Sequence, residues 1–279
     1  MSGMLYLVGT PIGNLEDLTD RAKRILSEAD FIAAEDTRVT RKLLSHLGLH
    51  KPLVSYYEHN KEESGPRILE RLLAGETCAM VSDAGMPAVS DPGEDLCALC
   101  AGAGVPVSVI PGPCAAVTAL AASGLPTGRF TFEGFLSTDR RTRREHLESL
   151  AGETRTMIFY EAPHRLKATL AELYGSFGDR RAVLCRELTK LHEEILRTTL
   201  SGAVALYETA DPRGEYVLVV EGAEPEKKTP TDPETVLSSV DALVASGLSL
   251  RDAVKQTAKE TGVPKNALYE AALQRRSGE

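Results

Sequence analysis

The segment from Cys78 to Gly93 constrains the fold more than any other part of the sequence, because a short apolar run ends there in a loop of small and acidic residues. Cys78 to Val81 has the length and composition of a buried strand. Two glycines, two prolines and two acids follow from Asp83 onward. Glycine lets a ligand approach the backbone, and ligands of open α/β sheets bind at the carboxyl ends of strands. The segment therefore predicts a ligand-binding loop, with a tight turn and a helix cap at Asp91 as the alternative.

The same pattern of an apolar run, a polar loop and a helix recurs along most of the chain. Strands are predicted at residues 4–8, 31–34, 53–56, 78–81, 107–110, 130–135, 156–160, 182–185, 194–199 and 215–221. Alternation of this kind predicts an α/β fold. We predict two consecutive α/β domains, the first over residues 1–126 and the second over residues 127–222.

The last quarter of the sequence has a different character. Residues 223–233 are charged and rich in proline, which predicts a linker. Residues 234–279 contain three helical patterns that are broken at Gly247 and Gly262. They predict a small helical module that resembles a helix-turn-helix.

Composition narrows the class of protein. The chain has 279 residues and a net charge of −8, which argues against a protein that coats nucleic acid without specificity. Its five cysteines lie mostly in apolar runs, as reduced core thiols do. Cys97 and Cys100 have no second pair to complete a zinc site, so we expect no metal. Without an apolar run of membrane-spanning length, we expect a cytoplasmic protein with no membrane partner.

Three loops of small residues, at 9–14, 82–93 and 111–116, indicate the type of ligand. The first departs from the G-x-G-x-x-G dinucleotide pattern, although Glu35 lies near the expected ribose-binding acid, so a nicotinamide-dependent enzyme remains an alternative. There is neither a G-x-x-x-x-G-K-[ST] loop nor a G-x-S-x-G motif. The loops suit an adenosine-containing ligand held by backbone groups, which is compatible with S-adenosylmethionine.

Five motifs in order along the chain carry a family resemblance. They are Gly9 to Asp17, Ala34 to Arg38, Val81 to Gly93, Ile110 to Ala116 and Tyr160 to Arg165. Together they closely resemble the ribosomal RNA small subunit methyltransferase I group of the tetrapyrrole methylase superfamily. The helical module is similar to the carboxy-terminal extension of that group. Where tetrapyrrole-directed relatives often have Gly-Asp-Pro, this chain has Ser82-Asp-Ala84, so the resemblance is to the RNA-directed branch.

The resemblance implies methylation of a cytidine ribose 2′-hydroxyl in the decoding region of 16S ribosomal RNA, with S-adenosyl-L-methionine as the cofactor and the small ribosomal subunit as the partner. It also implies a homodimer, and a cofactor held between the two α/β domains. The implied cofactor contacts are Pro11, Asp83, Met86, Cys114, Ala115, Tyr160 and Glu215. Methylation of a tetrapyrrole-like small molecule and a non-catalytic S-adenosylmethionine-binding module are the alternatives.

A ribose hydroxyl is a poor nucleophile while it is protonated, so a nearby base would assist the reaction. The candidates at strand ends are Asp36, Glu35 and His59, with Glu161 and His164 as further possibilities. Asp36 is favoured because it follows an apolar strand and precedes an arginine that suits phosphate.

Three arginines are predicted to hold RNA phosphates, since a guanidinium presents paired donors in a fixed plane. They are Arg38, Arg165 and Arg186. The basic residues of the helical module favour RNA docking, with a dimerisation arm or a cap on the core as alternatives.

Overall fold

The computed structural model describes residues 3–224 and 233–277, with residue 235 described in its backbone only. The chain divides into two compact units, Met1–Ala223 and Glu224–Glu279. Most of the predicted linker, residues 225–232, lies outside the described residues. The proposed domain boundaries at 126 and 222 stay predictions.

The amino-terminal part of the first unit is built on a parallel sheet. Its strands β1 to β5 are Leu5–Val8, Phe31–Ala34, Leu53–Ser55, Cys78–Val81 and Val107–Ile110, in the order β3-β2-β4-β1-β5. Helices α1 to α5 are Asp20–Glu28, Thr37–His46, Lys61–Leu73, Glu94–Gly102 and Ala115–Ser123. Every residue of β2 and β4 is buried, as expected for inner strands of a parallel sheet that is covered on both faces.

A crevice forms where the loops that follow β1 and β4 meet. The connection from β1 runs toward β2 and the connection from β4 runs toward β5, in the opposite direction. In parallel sheets such a reversal leaves room for a ligand at the carboxyl ends of the strands. The two loops are joined by an antiparallel bridge, in which Thr10 N donates to Gly85 O at 2.8 Å and Gly85 N donates to Thr10 O at 3.2 Å.

The second sheet of the first unit is mixed. Its strands β6 to β10 are Phe130–Phe135, Thr156–Glu161, Arg181–Arg186, Glu194–Thr199 and Tyr216–Val220, in the order β6-β7-β10-β8-β9. Only β6 and β7 are parallel among these described neighbours. Helices α6 to α8 are Arg140–Leu150, Pro163–Phe177 and Leu200–Thr209.

Helix α5 lies in the predicted first domain but packs on the second sheet. Its buried residues Ala116, Ala119 and Leu120 share one core cluster with Ile158 and Val219. Small alanine side chains allow the helix axis to lie close to the strands. This packing ties the two sheets together on either side of the crevice.

The second unit contains three helices within the described residues. Helices α9 to α11 are Pro233–Ala245, Leu250–Thr261 and Lys265–Ser277. They enclose an apolar core of their own, which includes Leu237, Val254 and Leu268. Helix α10 is capped by the side chain of Ser249 and ends at Gly262 in the left-handed conformation, as the sequence pattern predicts.

The predicted strands agree with the structure to within one or two residues. Helix α2 begins at Thr37 because Asp36 caps it. Helix α7 begins with Pro163 in its first turn, and α3 contains Pro66. The alternative of a helix cap at Asp91 is wrong, because Gly93 precedes α4 and no side chain caps it.

No helix in the described ranges is long and apolar enough to cross a membrane.

Candidate functional site

A cavity of about 340 Å³ lies between the two sheets of the first unit. The first sheet contributes residues that follow β2 and β4 and the start of α5. The second sheet contributes the ends of β7 and β8 and the beginning of β10. Both sheets thus direct the strand ends that the sequence marks as polar toward one space, which we call the first cavity.

The first cavity brings together six of the seven residues that the resemblance implies as cofactor contacts. They are Asp83, Met86, Cys114, Ala115, Tyr160 and Glu215. The seventh, Pro11, lines a second cavity, also of about 340 Å³, to which Asp83 contributes as well. The structure therefore gathers the predicted set, and the role of each residue stays a prediction.

Strained backbone borders the first cavity on two sides. Ala88 and Ser90, in the loop after β4, have φ angles of 66° and 60°. Glu187 and Thr189, in the loop after β8, have φ angles of 52° and 65°. Side chains at positive φ persist only where the surrounding structure fixes them, and they concentrate at ligand-binding sites. The intrinsic backbone preferences of these residues therefore do not explain the shape of either loop.

Three carboxyl groups line the first cavity from the side of the first sheet: Glu35, Asp83 and Asp91. Asp83 N donates to Glu35 Oε2 at 3.3 Å, and Asp36 N donates to Asp83 Oδ1 at 3.0 Å. Burial raises the pKa of Glu35 and of Asp83. Burial, together with the charge of Glu35, raises the pKa of Asp91 to about 6, and the Ser82 hydroxyl opposes this rise only in part.

This grouping costs free energy in the absence of a partner, because neighbouring carboxylates repel one another and the half-buried Glu35 and Asp91 lose hydration. A positively charged group in the first cavity would relieve that cost. Among the described residues, no group of three or more His, Cys, Asp or Glu side chains is arranged to hold a metal ion.

Asp36, the base favoured from the sequence, is engaged elsewhere. Its Oδ1 accepts from Arg38 N at 2.7 Å and so caps α2, and Arg38 Nη2 donates to its Oδ2 at 2.6 Å. The hydrogen bonds from Arg38 lower the pKa of Asp36 to about 2. Asp36 does not line the first cavity. A carboxylate in this state is a weak proton acceptor, so the geometry favours Glu35 and Asp91 over Asp36.

Tyr160 connects the two halves of the cavity wall. Ala116 N, in the first turn of α5, donates to Tyr160 Oη at 3.1 Å. The ring packs edge-on against Phe132 and Phe135, with centroids 5.0 and 5.5 Å away. Burial raises the pKa of Tyr160 to about 12, so the phenol keeps its proton at neutral pH. The hydroxyl therefore fixes the position of α5 beside the cavity.

Glu187 and Lys190 are cavity residues that sequence reasoning missed. Glu187 Oε1 accepts from Lys190 Nζ at 2.9 Å and from Glu215 N at 3.3 Å. The hydrogen bond from Lys190 lowers the pKa of Glu187. Glu187 follows β8 in the same way that Asp83 follows β4, a signal that could have marked it.

Two of the arginines predicted to hold RNA are bound within the fold. Arg165 Nη2 donates to Leu136 O at 2.6 Å, and its Nε lies 3.5 Å from a Glu161 oxygen. Arg186 pairs with Glu194 through Nη2 at 2.8 Å. Arg165 thus ties α7 to the segment after β6, and Arg186 ties β8 to β9. Contact of either guanidinium with RNA stays a prediction.

The candidate base His59 lies apart from both cavities. It is exposed in the turn after β3, an edge strand, and its ring packs edge-on with Tyr57 at 6.2 Å. The structure therefore does not bring His59 together with the other candidate bases.

Comparisons with known proteins agree with this architecture. The model of the Tetrapyrrole (Corrin/Porphyrin) Methylases matches residues 4–204, and that of the RsmI C-terminal HTH domain matches residues 230–276. A Synechocystis protein named "Ribosomal RNA small subunit methyltransferase I" is 48% identical over 98% of both chains. A Bacillus subtilis protein of the same name is 45% identical over 96% of this chain and 94% of its own.

Solved structures share the fold of the first unit. Diphthine synthase superposes with a TM-score of 0.61 at 17% identity, over 79% of this chain and 90% of its own. A Thermus thermophilus uroporphyrin-III C-methyl transferase, complexed with S-adenosyl homocysteine, superposes with a TM-score of 0.55 at 24% identity, over 78% of this chain and 97% of its own. On the strength of the family matches and the near full-length relatives, the chain belongs to the tetrapyrrole methylase family and, within it, to the ribosomal RNA small subunit methyltransferase I group.

Proposed function

We propose that this protein transfers a methyl group from S-adenosyl-L-methionine to the 2′-hydroxyl of a cytidine in the decoding region of 16S ribosomal RNA. The first cavity carries this proposal, because it collects six predicted cofactor contacts, Asp83 among them, together with the carboxyl groups of Glu35 and Asp91 at the meeting point of two sheets. Curated relatives at 42–51% identity are named as small-subunit ribosomal RNA methyltransferases, which supports RNA as the substrate class. Membership of this group removes the nicotinamide-dependent alternative.

The residues of the first cavity fit S-adenosylmethionine. A volume of about 340 Å³ lies within the range of small-molecule sites. Met86, Cys114 and Ala115 give apolar walls, and the carboxyl groups of Glu35, Asp83 and Asp91 suit a ligand with positive charge. The bound cofactor supplies a methyl group activated by a positively charged sulfonium.

The chain itself supplies position and a proton acceptor. Holding the ribose oxygen close to the methyl group accounts for much of the acceleration in such a displacement. Asp91 is the proposed base, because its pKa of about 6 leaves it ionised at neutral pH but still able to accept a proton. Glu35 beside it raises that pKa and is the second candidate.

Three further properties follow from the resemblance and are part of the proposal. The partner is the small ribosomal subunit, and the site of action is the cytoplasm, in agreement with five free cysteines. The chain forms a homodimer, so sedimentation velocity should show a species of twice the 30.1 kDa chain mass.

The test is incubation with methyl-labelled S-adenosylmethionine and small subunits from a bacterial strain that lacks the activity, followed by mapping of the labelled nucleotide. The expected result is label on one cytidine ribose of the decoding region. Label on carbon or nitrogen of a tetrapyrrole without RNA would contradict the proposal. Cofactor binding without any methyl transfer would point to a non-catalytic module.

A further inference from the structure

The second cavity is distinct from the first in its lining and its charge. It lies between the loop after β1, one side of α2 and the end of β4. Its walls include apolar Pro11 and Leu43, and its rim carries Val39 and Leu15, which are 39% and 46% exposed. Asp83 lines both cavities, so the two spaces lie on either side of the segment that begins the loop after β4.

Helix α2 gives the second cavity a basic side. The helix contains Arg38, Arg41, Lys42 and His46 and no acidic residue, and Lys42 and His46 line the cavity one turn apart. Arg38 is paired with Asp36, whereas Arg41 and Lys42 form no ion pair with any described residue. An exposed ammonium group without a partner at the edge of a cavity suits an anionic ligand.

The acidic and basic ends of the second cavity are separated along α2. Asp83 bonds to the amide of Asp36 at the start of the helix, and Lys42 lies six residues further, or about 9 Å along the axis at the rise of an α-helix. A phosphate at Lys42 is therefore held away from the carboxylate of Asp83. Ser82, which is 3% exposed, lines the same cavity.

We infer that the second cavity binds one nucleotide of the RNA strand next to the methylated cytidine, with its base against Val39, Leu43 and Leu15 and its phosphate at Lys42. Bases turned out of a stack are held between aromatic or apolar side chains, and lysine is a common phosphate contact. The inference rests on the proposed function, since a neighbouring nucleotide is needed only if RNA is the substrate. This arrangement places the RNA chain across Asp83, from the first cavity to the second.

The first test compares two cations of α2. Small subunits from the strain that lacks the activity are bound to each variant by filter binding at a series of KCl concentrations. Lys42→Ala should weaken binding about 5- to 10-fold and lower the slope of log affinity against log salt by ~0.7, the value for one phosphate of a single strand. Arg41→Ala, an exposed unpaired cation outside the cavity, should stay within about 2-fold of wild type with an unchanged slope.

The second test fills the cavity without changing charge. Val39→Trp should weaken binding of the subunits, whereas Val107→Trp should not, because Val107 is equally exposed at 38% but lies on β5 outside both cavities. All four variants should bind S-adenosyl homocysteine as wild type does.

The outcomes separate this inference from the proposed function. Three results would each overturn the inference: equal effects of Lys42→Ala and Arg41→Ala, wild-type binding by Val39→Trp, or weakened binding of S-adenosyl homocysteine by the variants. The proposed function stays intact in each case, as long as the wild type methylates RNA. A wild-type protein that methylates no RNA overturns both.

Discussion

The carboxyl groups of Glu35, Asp83 and Asp91 in the first cavity show which single residues a sequence can locate and which it cannot. Glu35 and Asp83 follow predicted strands, and the sequence marks them for that reason. Asp91 lies eight residues beyond Asp83, in the loop, and only the folded loop brings it to the cavity. The sequence favoured Asp36 because Arg38 lies beside it. That same arginine forms an ion pair with Asp36 and lowers its pKa, which makes the carboxylate a poor proton acceptor.

Replacement of Asp91 tests the proposed base. Asp91→Asn should lower turnover by roughly 10²-fold or more while binding of S-adenosyl homocysteine changes little. The control is Asp36→Asn, which keeps the cap of α2 because asparagine caps as well as aspartate, and which should retain turnover. Loss of turnover in Asp36→Asn alone would instead support the prediction made from the sequence.

The pH dependence of methyl transfer tests the same group. A base must be deprotonated to act, so the rate should fall as the pH drops through about 6, where Asp91 takes up its proton. The rate should be level above that range. A single-turnover pH profile of the wild type is the measurement, and a midpoint near the ordinary carboxyl value of 3.8 would count against Asp91.

Strands and their polar ends could be predicted from sequence because they depend on local composition. The shape of the loops could not, because it depends on contacts between segments far apart in the chain. A β-carbon on Gly9 would lie 2.7 Å from Gly112 Cα, and one on Gly112 would lie 2.8 Å from Gly9 Cα. The loops after β1 and β5 therefore touch through their backbones, a closeness that only glycine permits at these positions.

Substitution of Gly112 tests this loop contact. Gly112→Ala should lower the free energy of unfolding in urea by about 1–3 kcal/mol, because backbone atoms must move apart. Gly175→Ala is the matched control, since Gly175 is exposed within α7 and a β-carbon there meets nothing within 4 Å. The control should be more stable by about 0.5–1 kcal/mol, and destabilisation of both variants alike would contradict the argument.

Helix α10 carries a row of basic residues four positions apart: Arg251, Lys255 and Lys259. All are exposed and form no ion pair with any described residue. This spacing places them on one face of the helix, which favours the RNA-docking role predicted for the helical module over a cap on the core.

Removal of that row tests the docking role. Replacing all three residues with alanine should weaken binding of small subunits and lower its salt dependence, without effect on cofactor binding. The control removes the same charge by replacing Arg24, Arg141 and Arg144, each of which pairs with a glutamate four residues on. If both triple variants bind RNA equally well, the helical module does not dock RNA.

For the whole molecule, the central claim is that the space between the two sheets holds S-adenosylmethionine. The order of strands in each sheet and the packing of α5 on the second sheet form this space, and neither could be derived from local sequence patterns. The family resemblance supplied the ligand, and the structure supplies the cavity where six implied contacts meet.

The most direct measurement is ultraviolet cross-linking of methyl-labelled S-adenosylmethionine to the whole protein, with identification of the labelled peptides by mass spectrometry. The account predicts label on residues of the first cavity, in the segments 83–91, 114–115, 160–162 or 187–190. Label confined to α2 and to Thr10, Gly13 and Leu15, which line the second cavity and not the first, would contradict it.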